Sequence, residues 1–79
     1  MPTILRIGTY RFFFYAGDGN EQPHIHVERD NHIAEFWLDP VGIVKEGGFS
    51  ATELNRIQKM VESHEEDLVN EWENFFEEE

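Results

Sequence analysis

The segment from His24 to Glu28 alternates two histidines and a glutamate with apolar residues. Along a β-strand, alternate side chains lie on one face roughly 7 Å apart, so His24, His26 and Glu28 can approach one ion. Imidazole combined with carboxylate suits zinc, nickel or iron(II), and two histidines with one carboxylate leave an open coordination position. The pattern therefore predicts a divalent metal cofactor, zinc or nickel, held by these three residues.

The next stretch of the chain offers a second carboxylate to the same histidines. If residues 30–31, an Asp-Asn pair, form a two-residue turn, His26 lies directly opposite Glu35. A histidine oriented by a carboxylate is an ordinary proton shuttle, which makes His24, His26 and Glu35 the candidate catalytic residues. Alternatively, histidines on an exposed strand face often have no role beyond solubility or a cross-strand ion pair. Metal-binding, acid–base and purely structural roles therefore stay open.

The proposed hairpin register is supported by how cleanly it separates the side chains. One face is entirely apolar, whereas a shift of one residue would mix apolar and polar side chains on both faces. The register pairs Arg29 with His32 at the turn and His24 with Trp37 at the far end. The apolar face holds Ile25, Val27, Ala34, Phe36 and Leu38, and the other face holds His24, His26, Glu28, Ile33, Glu35 and Trp37.

The flanking segments predict the other strands of an antiparallel sheet. The apolar runs at residues 4–7, 10–15 and 41–44 are rich in aromatic and β-branched side chains, which is typical of strands. Glycine, asparagine and proline separate the runs, as they do in turns. Together with the hairpin, these runs place the strands within residues 3–46 and predict a sheet of about three to four strands.

The C-terminal part of the chain predicts one long helix over about residues 51–76. Ser50 and Glu53 match a capping box, and apolar residues then recur at three- and four-residue spacing over about seven turns. Ser63 and Glu66 form a second cap signal, which leaves a kink or two separate helices open. The predicted fold class is therefore α+β, with a small antiparallel sheet packed against one long C-terminal α-helix.

Four large aromatic residues are candidates for binding a partner. Trp72, Phe75 and Phe76 end the helix on nearly adjacent faces, so one face cannot bury all three, and Trp37 shares the polar face of the hairpin. The alternative is that the three helical residues cover the open end of the core. His64 lies on the apolar stripe of the helix, where a core or boundary histidine is the commoner outcome.

The composition of the chain excludes several classes of function. The 79 residues contain 17 acids, six bases and no cysteine, for a net charge of −11, which suits one domain over residues 1–79 with an acidic tail at 77–79. Lysine and arginine are too few for a phosphate-tracking stripe, so direct binding of nucleic acid or of a membrane surface is disfavoured. The lack of disulfides, of a signal-peptide pattern and of a spanning segment predicts a cytoplasmic protein.

Several motifs of the chain also form a family pattern. They are the opening Met1-Pro2-Thr3-Ile4, the run Pro23-His24-Ile25-His26-Val27, an alternating strand with Ala34 and Glu35, and a helix ending near Trp72. In these motifs the chain resembles a small bacterial domain of unknown function, family 4160. The resemblance implies no established activity, but some members are described as the toxin of a type II toxin–antitoxin pair, which implies a small protein partner encoded nearby. Toxins that cleave RNA generally need cations at the phosphates, and this requirement conflicts with the acidic composition.

The sequence supports three hypotheses about function. The favoured one is a protein-interaction module in a two-component, toxin–antitoxin-like complex, with a protein encoded nearby or a second copy as the partner. The alternative is a hydrolytic or metal-dependent enzyme with its site at His24, His26, Glu28 and Glu35. The third is a structural subunit that performs no chemistry.

Overall fold

The chain folds into a meander of strands followed by two helices. The computed structural model describes residues 3–76, so the predicted acidic tail at 77–79 lies outside the described residues. The elements are β1 Thr3–Ile7, β2 Tyr10–Phe13, a 3-10 helix Ala16–Asn20, β3 His24–Arg29, β4 His32–Leu38, β5 Val41–Lys45, α1 Ala51–Ser63 and α2 Glu65–Phe76. The strand order in the sheet follows the chain, and every neighbouring pair is antiparallel.

The α+β class and the antiparallel sheet are confirmed, but the prediction of three to four strands is wrong. Residues 3–76 form a sheet of five strands. Gly8, at φ +57°, turns the chain between β1 and β2, so both parts of the N-terminal apolar stretch become strands and Ile7 pairs with Tyr10. The fifth strand pairs with β4 from Leu38 opposite Val41.

The register of the β3–β4 hairpin is the predicted one, from His24 opposite Trp37 to Arg29 opposite His32. Asp30 occupies the turn at φ +56°, a conformation that aspartate tolerates better than most residues. The predicted apolar face is the core face of the hairpin. All five of its side chains are fully buried, namely Ile25, Val27, Ala34, Phe36 and Leu38.

The two helices cover this apolar face, since α1 contacts β4 and β5 while α2 contacts β4. Burial of a large apolar side chain stabilises the fold by about 1.5–3 kcal/mol, so this packing is the main stabilising term. The helical residues in the core are Leu54, Ile57 and Val61 from α1 and Leu68 and Trp72 from α2. Neither helix of residues 3–76 has the length and apolar character that crossing a membrane requires.

The predicted single long helix is interrupted at His64, so the C-terminal part forms two helices. The His64 N–H donates to the Met60 and Val61 carbonyls, and its ring nitrogen Nδ1 lies 3.0 Å from the Met60 carbonyl. The Leu68 N–H then donates to the His64 carbonyl at 2.8 Å, at the start of α2. The second cap signal therefore marks a true break, but the residue at the break is His64 rather than Ser63.

Ser50 caps α1 as predicted, whereas the Glu53 carboxylate binds partners on the sheet. The Glu53 N–H donates to Ser50 Oγ at 3.1 Å, which is the first half of a capping box. The Glu53 carboxylate accepts a hydrogen bond from Tyr10 Oη at 2.7 Å and forms an ion pair with Arg29 Nη2 at 2.7 Å. These contacts join the first turn of α1 to β2 and β3.

Tyr10 is held as a hydrogen-bond donor in this network. Burial raises the pKa of Tyr10, and its hydrogen bond to Glu53 raises the pKa further, while Arg56 and Arg29 act in the opposite direction. The neutral hydroxyl can therefore keep donating to the carboxylate across the neutral pH range.

Candidate metal centre

The structure brings His24, His26 and Glu35 together on the sheet face opposite the apolar one. β3 places the two histidines two residues apart, and β4 places Glu35 directly opposite His26. One ligand atom from each residue lies within 4.8 Å of the other two, and His24 Nε2 is 3.5 Å from Glu35 Oε2. We refer to these three residues as the histidine cluster.

A backbone carbonyl sets the tautomer of His24. Its Nδ1 lies 2.8 Å from the Gln22 carbonyl oxygen, and because a carbonyl can only accept, Nδ1 carries the proton. In the neutral ring the lone pair is then on Nε2, the nitrogen that faces Glu35. Metal-binding histidines commonly have this arrangement, since the carbonyl fixes both the tautomer and the orientation of the ring.

Two aromatic rings enclose His26. Phe13 stacks on it at 5.3 Å between ring centroids, and Tyr15 meets it edge-on at 4.5 Å. Neither residue was predicted as part of the site, although alternation along β2 was enough to place them there. Phe12 and Phe14 belong to the core, so the residues between and after them must face the other way.

His24 is enclosed by two tryptophans. Its ring centroid lies 6.0 Å from that of Trp37 on β4 and 5.2 Å from that of Trp72 on α2. Only 1% of His24 and 7% of His26 is exposed, and the Glu35 side chain is 13% exposed. A charge placed in such a site must be compensated by its neighbours, because little water can reach it.

Glu28, which the sequence suggested as a metal ligand, has a different partner. Its Oε1 accepts hydrogen bonds from Arg11 Nε at 2.9 Å and Nη2 at 2.6 Å. Glu28 has the right spacing from His26, but the β2–β3 register puts Arg11 directly opposite Glu28 and draws its carboxylate away. The group of ligand atoms found among residues 3–76 therefore contains Glu35 where Glu28 was expected.

A further carboxylate lies beside the cluster, in the loop before β3. Glu21 Oε1 is 3.8 Å from His24 Nε2, and 58% of the Glu21 side chain is exposed. Glu21 was not predicted from the sequence because it lies outside the alternating strand. The three-residue spacing to His24 was the available signal, but such spacing is common around loops.

One known protein family matches the part of the chain that contains the histidine cluster. The family described as "Domain of unknown function (DUF4160)" matches residues 9–73. The chain belongs to this family. The part that matches DUF4160 contains the histidine cluster and Glu21, and it ends before Phe75 and Phe76. No curated protein and no solved structure matches the chain.

The four aromatic candidates for partner binding differ in exposure in this DUF4160 protein. Trp72 is buried, with its ring centroid 5.1 Å from Phe14 and 4.3 Å from Phe76. Trp37 and Phe76 are half-buried, while 38% of Phe75 is exposed. The end of α2 therefore buries one of its three aromatic residues and leaves Phe75 at the surface.

Proposed function

We propose that this DUF4160 protein binds a divalent transition metal, zinc or nickel, at the histidine cluster. The observation that carries the proposal is the convergence of three ligand atoms within 4.8 Å, with Nε2 of His24 facing Glu35. Imidazole nitrogens with a carboxylate are a donor set that suits zinc and nickel, whereas calcium and magnesium prefer oxygen ligands.

The distances within the cluster suit a metal at its centre. With metal–ligand bonds of about 2.1 Å, tetrahedral ligands lie about 3.4 Å from one another. His24 Nε2 and Glu35 Oε2 are already 3.5 Å apart. No pair of the three ligand atoms exceeds 4.8 Å, so small side-chain rotations are enough to complete the geometry.

The burial of the cluster favours a structural or regulatory metal over a hydrolytic one. Catalytic zinc sites keep a position open for water and substrate. Here aromatic rings contact both histidines, and only 1% of His24 and 7% of His26 is exposed, which leaves a substrate little access to them. A metal held by these ligands would instead cross-link β3 and β4.

Zinc titration of the purified chain and its variants tests the proposal. We expect wild type to bind one zinc, and Glu35→Gln and His24→Ala to weaken binding by at least about 100-fold, because loss of even an indirect partner costs roughly 10–100-fold. Isothermal titration calorimetry measures the affinity, and circular dichroism of each metal-free variant checks its fold. Glu35→Gln is the decisive variant because it preserves the shape of the side chain.

Two matched controls remove groups of the same type outside the cluster. His32→Ala removes a histidine whose Nδ1 lies 3.1 Å from the Gly47 carbonyl, and Glu28→Gln removes the carboxylate paired with Arg11. Both variants should bind zinc within about twofold of wild type, since they do not touch the ligands. Absence of zinc binding in wild type would contradict the proposal, as would equal losses in Glu28→Gln and Glu35→Gln.

A second function, partner binding, is favoured by the exposed aromatic end of α2. Phe75 is 38% exposed, and its ring centroid lies 4.7 Å from Phe76 and 6.0 Å from Phe14. Aromatic residues, phenylalanine among them, are enriched at protein–protein interfaces. As the second candidate we propose a two-component, toxin–antitoxin-like complex in the cytoplasm, with a small protein encoded nearby or a second copy as the partner.

Replacement of Phe75 tests this second candidate. We expect tagged wild type to retain the untagged product of the neighbouring gene, and Phe75→Ser to weaken retention by about 30-fold, the size of a hot-spot loss of roughly 2 kcal/mol. Asn74→Ser, an exposed change at the preceding position, should leave retention unchanged. Wild-type retention by Phe75→Ser, or a wild-type chain that stays monomeric without a bound partner, would overturn it.

A further inference from the structure

We infer that Glu21 supplies a fourth ligand and closes the metal site, an inference that depends on the proposed function. The histidine cluster alone has three protein ligands, and three ligands leave a tetrahedral metal with an open position. Glu21 lies outside the alternating strand but is close enough to fill that position. The site would then have two nitrogen and two oxygen donors, which is a closed structural centre.

The position of His24 between two carboxylates is the first observation. Its Nε2 lies 3.5 Å from Glu35 Oε2 and 3.8 Å from Glu21 Oε1. These two distances are close to the separation of about 3.4 Å expected between neighbouring ligands of a tetrahedral metal. The same nitrogen is the one left with the lone pair by the Gln22 carbonyl.

Charge balance is the second observation. A divalent metal with two neutral imidazoles and the Glu35 carboxylate would keep one uncompensated positive charge, beside rings that are 1% and 7% exposed. Such a charge is costly in an enclosed site. The carboxylate of Glu21 cancels it, so the metal with its four ligands becomes neutral.

The backbone on the C-terminal side of Glu21 is fixed by two hydrogen bonds. The Gln22 carbonyl accepts from His24 Nδ1 at 2.8 Å, and the Pro23 carbonyl accepts from the Leu38 N–H at 3.0 Å. These bonds hold the main chain of the loop beside β3 and β4. Glu21 therefore needs only a side-chain rotation to reach the metal.

The same loop contacts the aromatic end of α2. Gly19 packs so closely on Phe76 that a Cβ at this position would lie 2.7 Å from the Phe76 ring. A metal bound through Glu21 would hold the loop against Phe76, next to the exposed Phe75. Metal occupancy would in this way stabilise the surface that the second candidate function uses.

Zinc affinity of Glu21→Gln, compared with Glu46→Gln, tests the inference. Both residues are exposed and both changes remove one negative charge. Glu21 Oε1 lies 3.8 Å from His24 Nε2, whereas Glu46 follows β5 next to Lys45, the residue opposite Glu35. We expect Glu21→Gln to weaken zinc binding by about 10- to 100-fold. We expect Glu46→Gln to stay within about twofold of wild type. Isothermal titration calorimetry measures both, and cobalt(II) in place of zinc should show the intense visible bands of a tetrahedral site.

The outcomes separate this inference from the proposed function. Wild-type zinc affinity in Glu21→Gln, with Glu35→Gln still impaired, would overturn the fourth ligand and leave the three-residue site standing. Equal weakening in Glu21→Gln and Glu46→Gln would also overturn it, since the effect would then come from net charge. A wild-type chain that binds no zinc would overturn both proposals together.

Discussion

Gly47→Ala is expected to lower the free energy of unfolding by roughly 2–5 kcal/mol. Gly47 has φ +67°, and a Cβ at this position would overlap the Ile33 carbonyl and lie 2.8 Å from Ala34 N. A left-handed backbone costs an L residue about 1–2 kcal/mol, and forced repacking adds about 1–3 kcal/mol. The obstruction is the backbone of β4, which cannot rotate away as a side chain can. Urea denaturation measures the loss.

Gly8→Ala is the matched control that measures the cost of the left-handed backbone without the close approach to β4. Gly8 has a similar φ of +57°, but a Cβ there would have no atom within 4 Å. We therefore expect Gly8→Ala to cost only about 1–2 kcal/mol. If the two variants lost the same stability, the close approach of Gly47 to β4 would not be a packing constraint, and the expected difference would be refuted.

The part of the fold that sequence reasoning predicted best is the β3–β4 hairpin. The two-residue turn and the sorting of side chains by face both required the same register, and the structure has His24 opposite Trp37 as that register demands. Such agreement is expected where one face is fully buried, because a slip of one residue would expose the whole apolar set. The sequence could therefore also predict that His26 and Glu35 are neighbours.

The hairpin alone does not show whether Glu28 or Glu35 is the carboxylate that joins the two histidines. Both carboxylates lie on the face that carries the histidines, and what separates them is Arg11 on β2, which pairs with Glu28 at 2.6 Å. That contact depends on the β2–β3 register, and the loop between these strands is too long for a two-residue turn to set it. The enclosure of His26 by Phe13 depends on the same register.

The break between the helices shows a different limit of sequence reasoning. Ser63 with Glu66 is a good cap signal, and a signal of this type locates a helix end only to within one or two residues. The structure uses His64, whose N–H and ring nitrogen both face carbonyls of α1 while its own carbonyl starts α2. The three acids that open α2 suit the positive end of the helix dipole at that point.

The position of the histidine cluster links the proposed metal to the stability of the domain. The cluster joins β3 to β4 on the face opposite the apolar one, and both Trp72 and the loop with Glu21 connect it to the end of α2. A domain of this size buries only about 60% of the surface of its unfolded chain, so a cross-link at this place adds a large fraction of its stability. A metal that binds only the folded chain must raise the free energy of unfolding.

Zinc at a hundredfold excess over its dissociation constant is therefore expected to stabilise the wild-type chain by about 2.7 kcal/mol. For a domain of this length, that free energy corresponds to a rise of roughly 10–20 °C in the melting temperature. Acidification should reduce the rise, because metal ligands must be deprotonated to bind. Differential scanning calorimetry with and without zinc measures the shift at each pH.

The same scan on Glu35→Gln distinguishes the cluster from the acidic surface of the protein. The chain has a net charge of −11, so weak binding of cations to exposed carboxylates could also raise the melting temperature. Surface binding would survive in Glu35→Gln and would respond to calcium as well as zinc. A shift that disappears in Glu35→Gln, and that calcium does not produce, requires the Glu35 carboxylate together with nitrogen ligands, a combination that the histidine cluster provides among residues 3–76.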